Sequence, residues 1–501
     1  MKKSMFIAAA LLVAASCSLK EPRNMFVSPD FVQTLQQADA CVTATYTPLK
    51  TIYALEFGIA TEGCTDLFHI QSGTQDAQMD VSPANARFGN TVWEYAYAGV
   101  RNANFALWAM ENSGIDPEDY AQLKAEALAM RAYWYFILTS FFGDVPYYEE
   151  YVGDRPTLDK VRHLPRMSAV ETRAKLIDQL QFAVDTLPKA RAYDLGLQRA
   201  GWAFSEMLIA KMAMWNACKD PDNAKQWWDR AIKALEELEE VYGELTEANY
   251  PLADVAFRIK NTPESIFEIQ HTDTPGGLQY SANYGAVLMP YPLNKNDNTG
   301  VCTFNGVEIP ELGNECIVWQ PMRPNAYLHN GLFIKGSPDR RVGWAIVYEW
   351  NGKAFSRSWP GPKFWCYNMI NTRDSNNYPI FRYADAVLML AECYNAVGEP
   401  EKAIAHLNAI KTRAGIAPYG TFTTADRLLD EIQMERGREL LGEFQRKFDL
   451  VRWGVWFKRT YEFTDYKQLK NNIRPCHEYY PIPDTEVALS EGALDNKAYE
   501  Q

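Results

Sequence analysis

The sequence lacks the short motifs that mark the common classes of enzyme and metal site. None of its nine cysteines belongs to a Cys-x-x-Cys pair, so neither a zinc site nor a thiol redox centre is indicated. The six histidines are dispersed, without the His-Glu-x-x-His spacing of zinc hydrolases. A Gly-x-Ser-x-Gly nucleophile elbow and a phosphate-binding loop are also absent. We therefore expect a protein that is not an enzyme and that has no metal and no cofactor.

An excess of positive charge is missing as well. The formal net charge is −13 at pH 7 over 501 residues, whereas a protein that binds nucleic acid presents a basic patch to the phosphates. We therefore expect no nucleic-acid partner. Hydrophobic residues make up 47% of the chain, which is enough for a packed core. Beyond the N-terminus no apolar run reaches the roughly 20 residues that a membrane-spanning helix needs.

The N-terminus has the pattern of an export signal. Two lysines precede an unbroken apolar run over residues 5–15, and small residues then lead into Cys17. Because the run is too short to span a bilayer, we interpret residues 1–16 as a signal peptide. The Ala-Ala-Ser-Cys junction resembles the cleavage site of bacterial lipoproteins, which implies a lipid on Cys17 and a mature chain of residues 17–501. Ordinary cleavage nearby, with Cys17 discarded, is the alternative.

The other eight cysteines are scattered along the chain. An even number of cysteines in an exported protein permits disulfides but does not show which residues pair. Among the possible pairs we favour Cys302 with Cys316. Cys393 lies within a strongly apolar helical pattern, which predicts a small buried side chain rather than a bridge.

Paired amphipathic helices are the dominant pattern of the chain. Apolar residues recur on one helix face in residues 200–218 and again after Asn223, which is placed to cap the second helix. Residues 381–414 repeat this plan, and each pair occupies roughly the 34-residue period of a tetratricopeptide repeat. Two interrupted pairs are also predicted, of residues 121–141 with 168–187 and of residues 30–49 with 90–111. The fold is therefore predicted to be mainly α, with about four tetratricopeptide-like hairpins.

Residues 250–380 have a different composition. Gly, Pro, Asn and aromatic residues are dense there, and helical periodicity fades apart from short apolar stretches. A long irregular stretch inside a compact domain is usually functional or disordered, and the many aromatic residues favour order. We predict an irregular, loop-rich, partly β insert. It would carry ligand-binding loops on a single-domain helical scaffold of residues about 30–250 and 380–460.

Several sequence motifs occur in an order that is typical of one protein family. Met130-Arg131-Ala132 and Phe142-Gly143-Asp144-Val145-Pro146 form a first hallmark segment. A C-terminal signature follows in Arg382-Tyr383-Ala384-Asp385, Arg413-Ala414-Gly415, Glu435-Arg436-Gly437-Arg438-Glu439-Leu440, Arg452-Trp453-Gly454 and Pro481-Ile482-Pro483. These motifs closely resemble those of the SusD/RagB family of outer-membrane nutrient-binding lipoproteins, and the resemblance runs from Cys17 to the C-terminus.

The resemblance implies a SusD-like fold and a binding role without catalysis. Members of this family are lipid-anchored at the cell surface and pack against a SusC-like TonB-dependent transporter in the outer membrane. We therefore expect a glycan-binding lipoprotein that captures an oligosaccharide or polysaccharide and delivers it to such a transporter. A peptide- or protein-capturing RagB-like lipoprotein is one alternative. A helical-repeat assembly protein without a ligand of its own is another.

The candidate ligand-binding residues come from loops. Sugar recognition combines aromatic faces, which stack on the C–H surface of a pyranose ring, with amides and carboxylates that bind its hydroxyls. Near a position where the family contributes ligand contacts lie Asp66, Phe68 and His69. The insert supplies Tyr280, Asn283, Tyr284, Tyr291 and Trp319. Three further tryptophans, Trp350, Trp359 and Trp365, are weaker candidates, because their spacing equally suits strands or hairpins around Asn351-Gly352.

Charged residues on the apolar helices have a structural interpretation. A charge persists beside apolar surface only when it is paired or hydrogen-bonded, so we expect five such residues to join helices: Arg131, Arg382, Arg413, Arg436 and Asp449. Glutamates also recur at every fourth position from Glu431 to Glu443 and could suggest the paired carboxylates of a glycosidase. We interpret this stripe instead as a solvated helix face whose negative charges are balanced by Arg436, Arg438 and Lys447.

Overall fold

A computed structural model describes residues 31–252, 259–272, 283–288, 302–304, 307–309, 322–334, 336–350, 353–361, 363 and 373–500. The α-helices of the first half are α1 Leu35–Thr43, α2 Leu49–Ile52, α3 Leu55–Thr61, α4 Gln75–Gln78, α5 Arg87–Glu111, α6 Ala121–Phe142, α7 Arg155–Arg162, α8 Ala169–Thr186, α9 Trp202–Lys219 and α10 Ala224–Tyr242. Those that follow are α11 Gly285–Leu288, α12 Val342–Ala345, α13 Tyr383–Ala396, α14 Pro400–Arg413, α15 Ala425–Glu439, α16 Arg446–Arg452, α17 Trp456–Phe463, α18 Lys467–Asn472 and α19 Asp484–Leu489.

The predicted helix pairs form antiparallel hairpins that stack in a row. Contacts join α1 to α5, α6 to α8, α9 to α10 and α13 to α14, and further contacts join each pair to its neighbour. Units of this kind bury their apolar faces only by stacking, and one hydrophobic cluster accordingly extends from Leu49 to Leu494. The prediction of a mainly helical fold with tetratricopeptide-like hairpins is confirmed.

The apolar pattern explains which face of each helix is buried. In α10 the buried side chains include Ala231, Leu235 and Leu238, which recur at the three- and four-residue spacing of one helix face. Their contacts are with α9, which is buried along almost its whole length. Asn223 stands at the N-cap position of α10, but its side chain donates to the Asp220 carboxylate instead of capping the helix. The predicted cap is therefore wrong.

Helices α5 and α6 approach each other closely at a glycine. Gly99 on α5 faces the indole of Trp134 on α6, and the indole Nε1 donates to the backbone oxygen of Thr45 at 3.0 Å. Trp134 is completely buried. The absence of a side chain at Gly99 leaves the space that this large ring occupies.

The strands are short and occur in pairs. They are β1 Phe68–Ile70, β2 Val145–Pro146, β3 Arg166–Met167, β4 Ser265–Ile269, β5 Cys302–Phe304, β6 Val307–Ile309, β7 Met322–Pro324, β8 Ile346–Trp350, β9 Lys353–Pro360 and β10 Tyr378–Arg382. Within the described residues they form five antiparallel two-stranded sheets, pairing β1 with β7, β2 with β3, β4 with β10, β5 with β6 and β8 with β9. The insert is therefore partly β, as predicted, and β8 pairs antiparallel with β9 on either side of Asn351-Gly352, which lie outside the described residues.

The charged residues expected to join helices do so. Arg131 on α6 donates to Asn104 on α5 at 3.0 Å and to Gln179 on α8 at 2.7 Å. Arg436 on α15 bridges Asp385 on α13 at 2.9 Å and Asp449 on α16 at 2.8 Å. These side chains fasten neighbouring helices where the apolar surface is interrupted, and their structural role is confirmed.

The glutamate stripe is not a solvated face, and that interpretation is wrong. Glu435, Glu439 and Glu443 are all buried, whereas Glu431 is partly exposed. Arg438 does pair with Glu431 and Glu435, as predicted. Arg436, however, is engaged by Asp385 and Asp449, and Lys447 lies over the rings of Trp456 and Tyr480. The cations that neutralise the buried stripe come mainly from elsewhere in the chain.

Candidate functional site

A network of buried ion pairs fastens the insert to the helical scaffold. Arg341 of the insert contacts Glu435 at 2.6 Å and Glu439 at 3.0 Å. Lys363, also of the insert, contacts Glu443 at 2.7 Å and donates to the backbone oxygen of Glu439 at 2.9 Å. Because breaking a buried pair strands a charge away from water, these contacts hold the described insert segments at fixed positions on α15.

The cations of this network keep the buried glutamates ionised. Burial alone would raise the pKa of Glu439, but the guanidinium groups of Arg413, Arg382 and Arg341 hold that pKa well below its ordinary value. Burial likewise opposes ionisation of Glu443, and Arg382 and Lys363 keep its pKa below the ordinary value. A pair of carboxylates arranged for acid–base catalysis needs one group with a raised pKa. The two carboxylates therefore have the electrostatics of structural anions.

Asp66 is placed in the interior and is held by two arginines. Its carboxylate accepts two hydrogen bonds from Arg446, at 2.9 and 2.8 Å, and one from Arg459 at 2.8 Å. Burial alone would raise the pKa of Asp66, but these guanidinium groups hold it below its ordinary value. The carboxylate thus ties the segment before β1 to α16 and α17.

Phe68 and His69 lie on β1 and are also buried. His69 pairs in register with Arg323 of β7, and its Nδ1 lies 2.7 Å from Oδ1 of Asn325. Phe68 and His69 pair with β7, and the neighbouring Asp66 is fixed by its arginines. Their burial argues against direct ligand contact, and a ligand-binding role for them stays a prediction.

The insert candidates are only partly described. Tyr284 is fully buried, and its hydroxyl donates to the backbone oxygen of Tyr53. Asn283, the preceding residue, is half-buried. Tyr280, Tyr291 and Trp319 lie outside the described residues, as do Cys17 and Cys316. The predicted ligand contacts of these three aromatic residues, the lipid on Cys17 and the Cys302–Cys316 bridge therefore stay predictions.

One half-buried aromatic surface in the insert combines the features that sugar recognition needs. The indole of Trp359 on β9 packs on the core with part of its surface exposed. The guanidinium of Arg323 on β7 lies 5.4 Å from the centre of the indole ring. We call this pair the Trp359–Arg323 surface. An aromatic face with adjacent N–H donors can stack on a sugar ring and donate to its hydroxyls.

Four paired strands and the Asp66–Arg459 ion pair support this surface. β7 contacts β9 and pairs with β1, and β9 pairs with β8. At the end of β7, Tyr327 packs against Phe463 with ring centres 4.4 Å apart, and Arg459 lies over both rings. Arg459 is in turn held by Asp66. Asp66 therefore supports this region indirectly, as a positioning residue.

Sequence reasoning ranked Trp359 below the loop aromatics. Its position near Asn351-Gly352 correctly indicated a strand of a hairpin, and this explanation of the spacing made it the weaker candidate. Strand β7 pairs with β1 and contacts β9, which brings Arg323 to the indole of Trp359. No local sequence pattern predicts that contact. The period-two alternation of a strand, which places every second side chain on one face, was the available clue.

The described residues show neither a metal cluster nor a membrane span. Within them, no three His, Cys, Asp or Glu side chains are arranged to hold a metal ion. Their helices also include none that is both long and apolar enough to cross a membrane.

Comparison with known proteins places the chain in a family. The family model described as "SusD family" matches residues 367–499, and the model described as "Starch-binding associating with outer membrane" matches residues 21–204. Together the two matched segments cover more than half of the chain. SusD-like protein P25 of Formosa agariphila is 25% identical over 96% of this chain and 94% of its own length. The chain belongs to the SusD/RagB family.

Solved structures share the fold across nearly the whole chain. Surface glycan-binding protein A from Bacteroides uniformis superposes with a TM-score of 0.69 at 22% identity, covering 93% of this chain and 100% of its own. The protein of the same name from Bacteroides thetaiotaomicron, in complex with laminarihexaose, gives 0.71 at 18% identity and covers 93% and 99%. A laminarin-binding SusD-like protein gives 0.70 at 20% identity and covers 92% and 98%. The SusD-like fold is therefore confirmed.

Proposed function

We propose that this protein is a cell-surface glycan-binding lipoprotein that captures oligosaccharides and delivers them to a SusC-like TonB-dependent transporter in the outer membrane. The observation that carries the proposal is the Trp359–Arg323 surface, a half-buried indole with a guanidinium beside it on paired strands. Membership of a family whose model is described as starch-binding and associated with the outer membrane supports it. The laminarihexaose complex of a structural neighbour supports a glucan among the first ligands to test.

The binding test is a calorimetric titration of the purified protein with neutral oligosaccharides, laminarihexaose among them, and with peptide digests. We expect micromolar-to-millimolar binding to one class of glycan. Replacing Trp359 with Ala should raise the Kd at least about tenfold, since a lost contact of about 1.4 kcal/mol changes Kd by that factor. Binding to peptides alone would contradict the glycan assignment and support the peptide-capturing alternative.

A matched control separates the site from general damage. Trp228 is a half-buried tryptophan on α10, within the helical scaffold. Trp228→Ala removes the same amount of aromatic surface and should leave the glycan Kd unchanged. Arg323→Gln should weaken binding without abolishing it, because the indole face remains. Glycan binding that survives both Trp359→Ala and Arg323→Gln would move the site elsewhere.

Anchoring and delivery are tested separately from binding. A lipid on Cys17 predicts that Cys17→Ser moves the protein from the outer-membrane fraction to the soluble fraction, with its ligand affinity unchanged. Delivery predicts that the protein co-purifies with a co-expressed SusC-like transporter and that uptake of the bound glycan needs both partners. Uptake that is undiminished when this protein is deleted would contradict the delivery role.

A further inference from the structure

Arg173 differs from the other buried arginines in the described part of the chain. Eight arginines are buried there: Arg131, Arg173, Arg341, Arg382, Arg413, Arg436, Arg446 and Arg452. Seven of them have a carboxylate within 4.0 Å. Arg173 has none among the described residues, although it is only 1% exposed. A buried charge without a counter-ion in direct contact is costly, so its persistence needs a reason.

The contacts of Arg173 fix the side chain without neutralising it. Its Nε donates to Oγ1 of Thr139 at 3.2 Å, and its Nη2 donates to the Thr139 backbone oxygen at 3.1 Å. The guanidinium also lies 4.5 Å from the centre of the Trp215 ring. Burial lowers the pKa of Arg173 to about 10, while Tyr479 and the Asp144 carboxylate oppose this shift, so the group stays charged at neutral pH. Nη1 makes no hydrogen bond to any described residue.

Arg173 lies in the wall of a cleft large enough for a small ligand. The cleft has a volume of about 700 Å³, within the range of roughly 300–1,000 Å³ that is usual for ligand pockets. It lies between the C-terminal end of α6, the start of α8 and the chain that follows residue 474. Two further cations, Arg166 and Lys219, line it together with the carboxylates of Asp144 and Glu478 and the rings of Tyr479 and Tyr499.

The lining cations other than Arg173 already have partners. Lys219 contacts Glu478 at 3.2 Å, and Arg166 contacts Asp495 at 2.8 Å. Asp144 accepts a hydrogen bond from the backbone nitrogen of Ala169 at 2.8 Å, which occupies the first turn of α8. Among the described lining cations, Arg173 is therefore the one with no carboxylate within 4.0 Å, although Asp144 and Tyr479 favour its charged form from a greater distance. A ligand that completes the site brings an anionic oxygen to Nη1 of Arg173.

We propose that this cleft binds the carboxylate of an acidic sugar, with Arg173 as the residue that anchors the carboxylate group. A guanidinium binds a carboxylate with charge-assisted hydrogen bonds. The tyrosine rings and the exposed carboxylate of Asp144 supply stacking surface and acceptors for the sugar hydroxyls. The site contains the hallmark segment Gly143-Asp144 and is separate from the Trp359–Arg323 surface. The choice of a sugar as the carrier of the carboxylate rests on the proposed function.

The test is a titration of the purified protein with glucuronate and galacturonate, with glucose and with acetate. We expect both uronates to bind and to raise the melting temperature, while glucose and acetate at the same concentrations have little effect. Arg173→Gln should raise the uronate Kd at least tenfold, and Arg173→Lys should recover part of the loss. Arg155→Gln, which removes an exposed arginine outside the cleft, should change nothing.

Two further variants keep the proposal open to refutation if the Arg173 variants fold poorly. Ala498 is exposed and lines the cleft, so Ala498→Trp should block uronate binding while Arg173 stays intact. Trp359→Ala should leave uronate binding intact. Uronate binding that survives Ala498→Trp, or that disappears with Trp359→Ala, would overturn the site.

The outcomes also separate this proposal from the proposed function. Absence of uronate binding would overturn the cleft and leave neutral-glycan binding at Trp359 untouched. Acetate binding as tight as that of the uronates would overturn the assignment to a sugar. Uronate binding by a protein that binds no neutral glycan would support the cleft and contradict the Trp359–Arg323 surface.

Discussion

Arg382 and Glu443 form a bidentate ion pair inside the protein, although 61 positions separate them in sequence. Nε and Nη2 of Arg382 donate to the two carboxylate oxygens at 2.7 and 2.8 Å. The same guanidinium contacts Glu264 and Glu439. Since Glu264 precedes β4 and Glu439 ends α15, this one arginine connects the insert with the C-terminal helices. Bidentate geometry of this kind is specific to Arg and would not survive replacement by Lys.

The buried network predicts a large cost for removing one cation. Arg413 contacts Glu264 at 2.8 Å and Glu439 at 2.6 Å with no exposed side-chain surface. Arg413→Met should lower the free energy of unfolding by about 3–5 kcal/mol, because two buried carboxylates each lose a partner. Urea unfolding followed by circular dichroism measures the loss. Lys225→Met, which breaks the exposed pair with Asp229, should change it by less than about 0.5 kcal/mol.

The contribution of Glu62 to the free energy of unfolding should fall as the pH rises, whereas that of most carboxylates rises. Burial raises its pKa from 4.5 to about 8; Arg446 and Lys363 lower it and Asp66 raises it. The native state therefore binds a proton between pH 4.5 and 8 that the unfolded state has lost, and stability falls as pH rises through this window. The slope should be about 1.4 kcal/mol per pH unit.

Glu62→Gln should remove this contribution, since the amide does not titrate. Thermal melts of wild type and variant between pH 5 and 8.5 check it. The melting temperature of Glu62→Gln should rise relative to that of the wild type as the pH rises towards 8. Parallel curves for the two proteins across the range would contradict the raised pKa.

The close approach of α5 and α6 predicts that alanine is harmful at Gly99. Ala is the better helix former by about 0.8–1.0 kcal/mol, but a methyl group at Gly99 would overlap the indole of Trp134. Overpacking a core costs about 1–3 kcal/mol or more, so Gly99→Ala should give a net loss of at least about 1 kcal/mol. Gly343 on α12 has open space where its Cβ would stand. Gly343→Ala should be neutral or slightly stabilising, and a loss there equal to that at Gly99 would contradict the steric explanation.

The free cysteines predict an order of reactivity. Burial raises the pKa of Cys64 to about 11 and that of Cys393 well above its ordinary value, and the thiolate is the reactive form. Neither should react with iodoacetamide at pH 8 in the native protein, whereas the half-buried Cys476 should react before both of them. Mass spectrometry of peptides labelled with and without urea measures this. Rapid labelling of Cys393 in the native state would show that α13 opens locally.

The repeating helices could be predicted from the sequence because their signal is local. The apolar spacing of α9 and α10 lies within each helix, and the turn residues between them lie next to both. The paired charges at Arg131 and Arg436 were also predictable, since a charge on an apolar helix needs a partner wherever that partner comes from. The identity of the partners was not predictable.

The candidate site depended on contacts that no local pattern encodes. Asp66 and His69 lie in a polar segment that could belong to a surface loop, yet Arg446 and Asn325 enclose them from positions far along the chain. Trp359 had a correctly predicted hairpin, but Arg323 reaches it only because β7 contacts β9.

The sequence by itself determined the helical hairpins, their approximate bounds and the family, because periodic apolar residues and ordered motifs are properties of the chain. Tertiary structure alone decided that the Glu435–Glu443 stripe is buried and that Arg173, in the wall of a cleft, has no carboxylate within 4.0 Å among the described residues. The physical reason is that burial of a charge depends on the cations and anions that packing brings from distant segments, such as Arg341 and Lys363 from the insert. The spacing of glutamates along the sequence is the same whether their side chains face water or the buried cations Arg341, Lys363, Arg382 and Arg413.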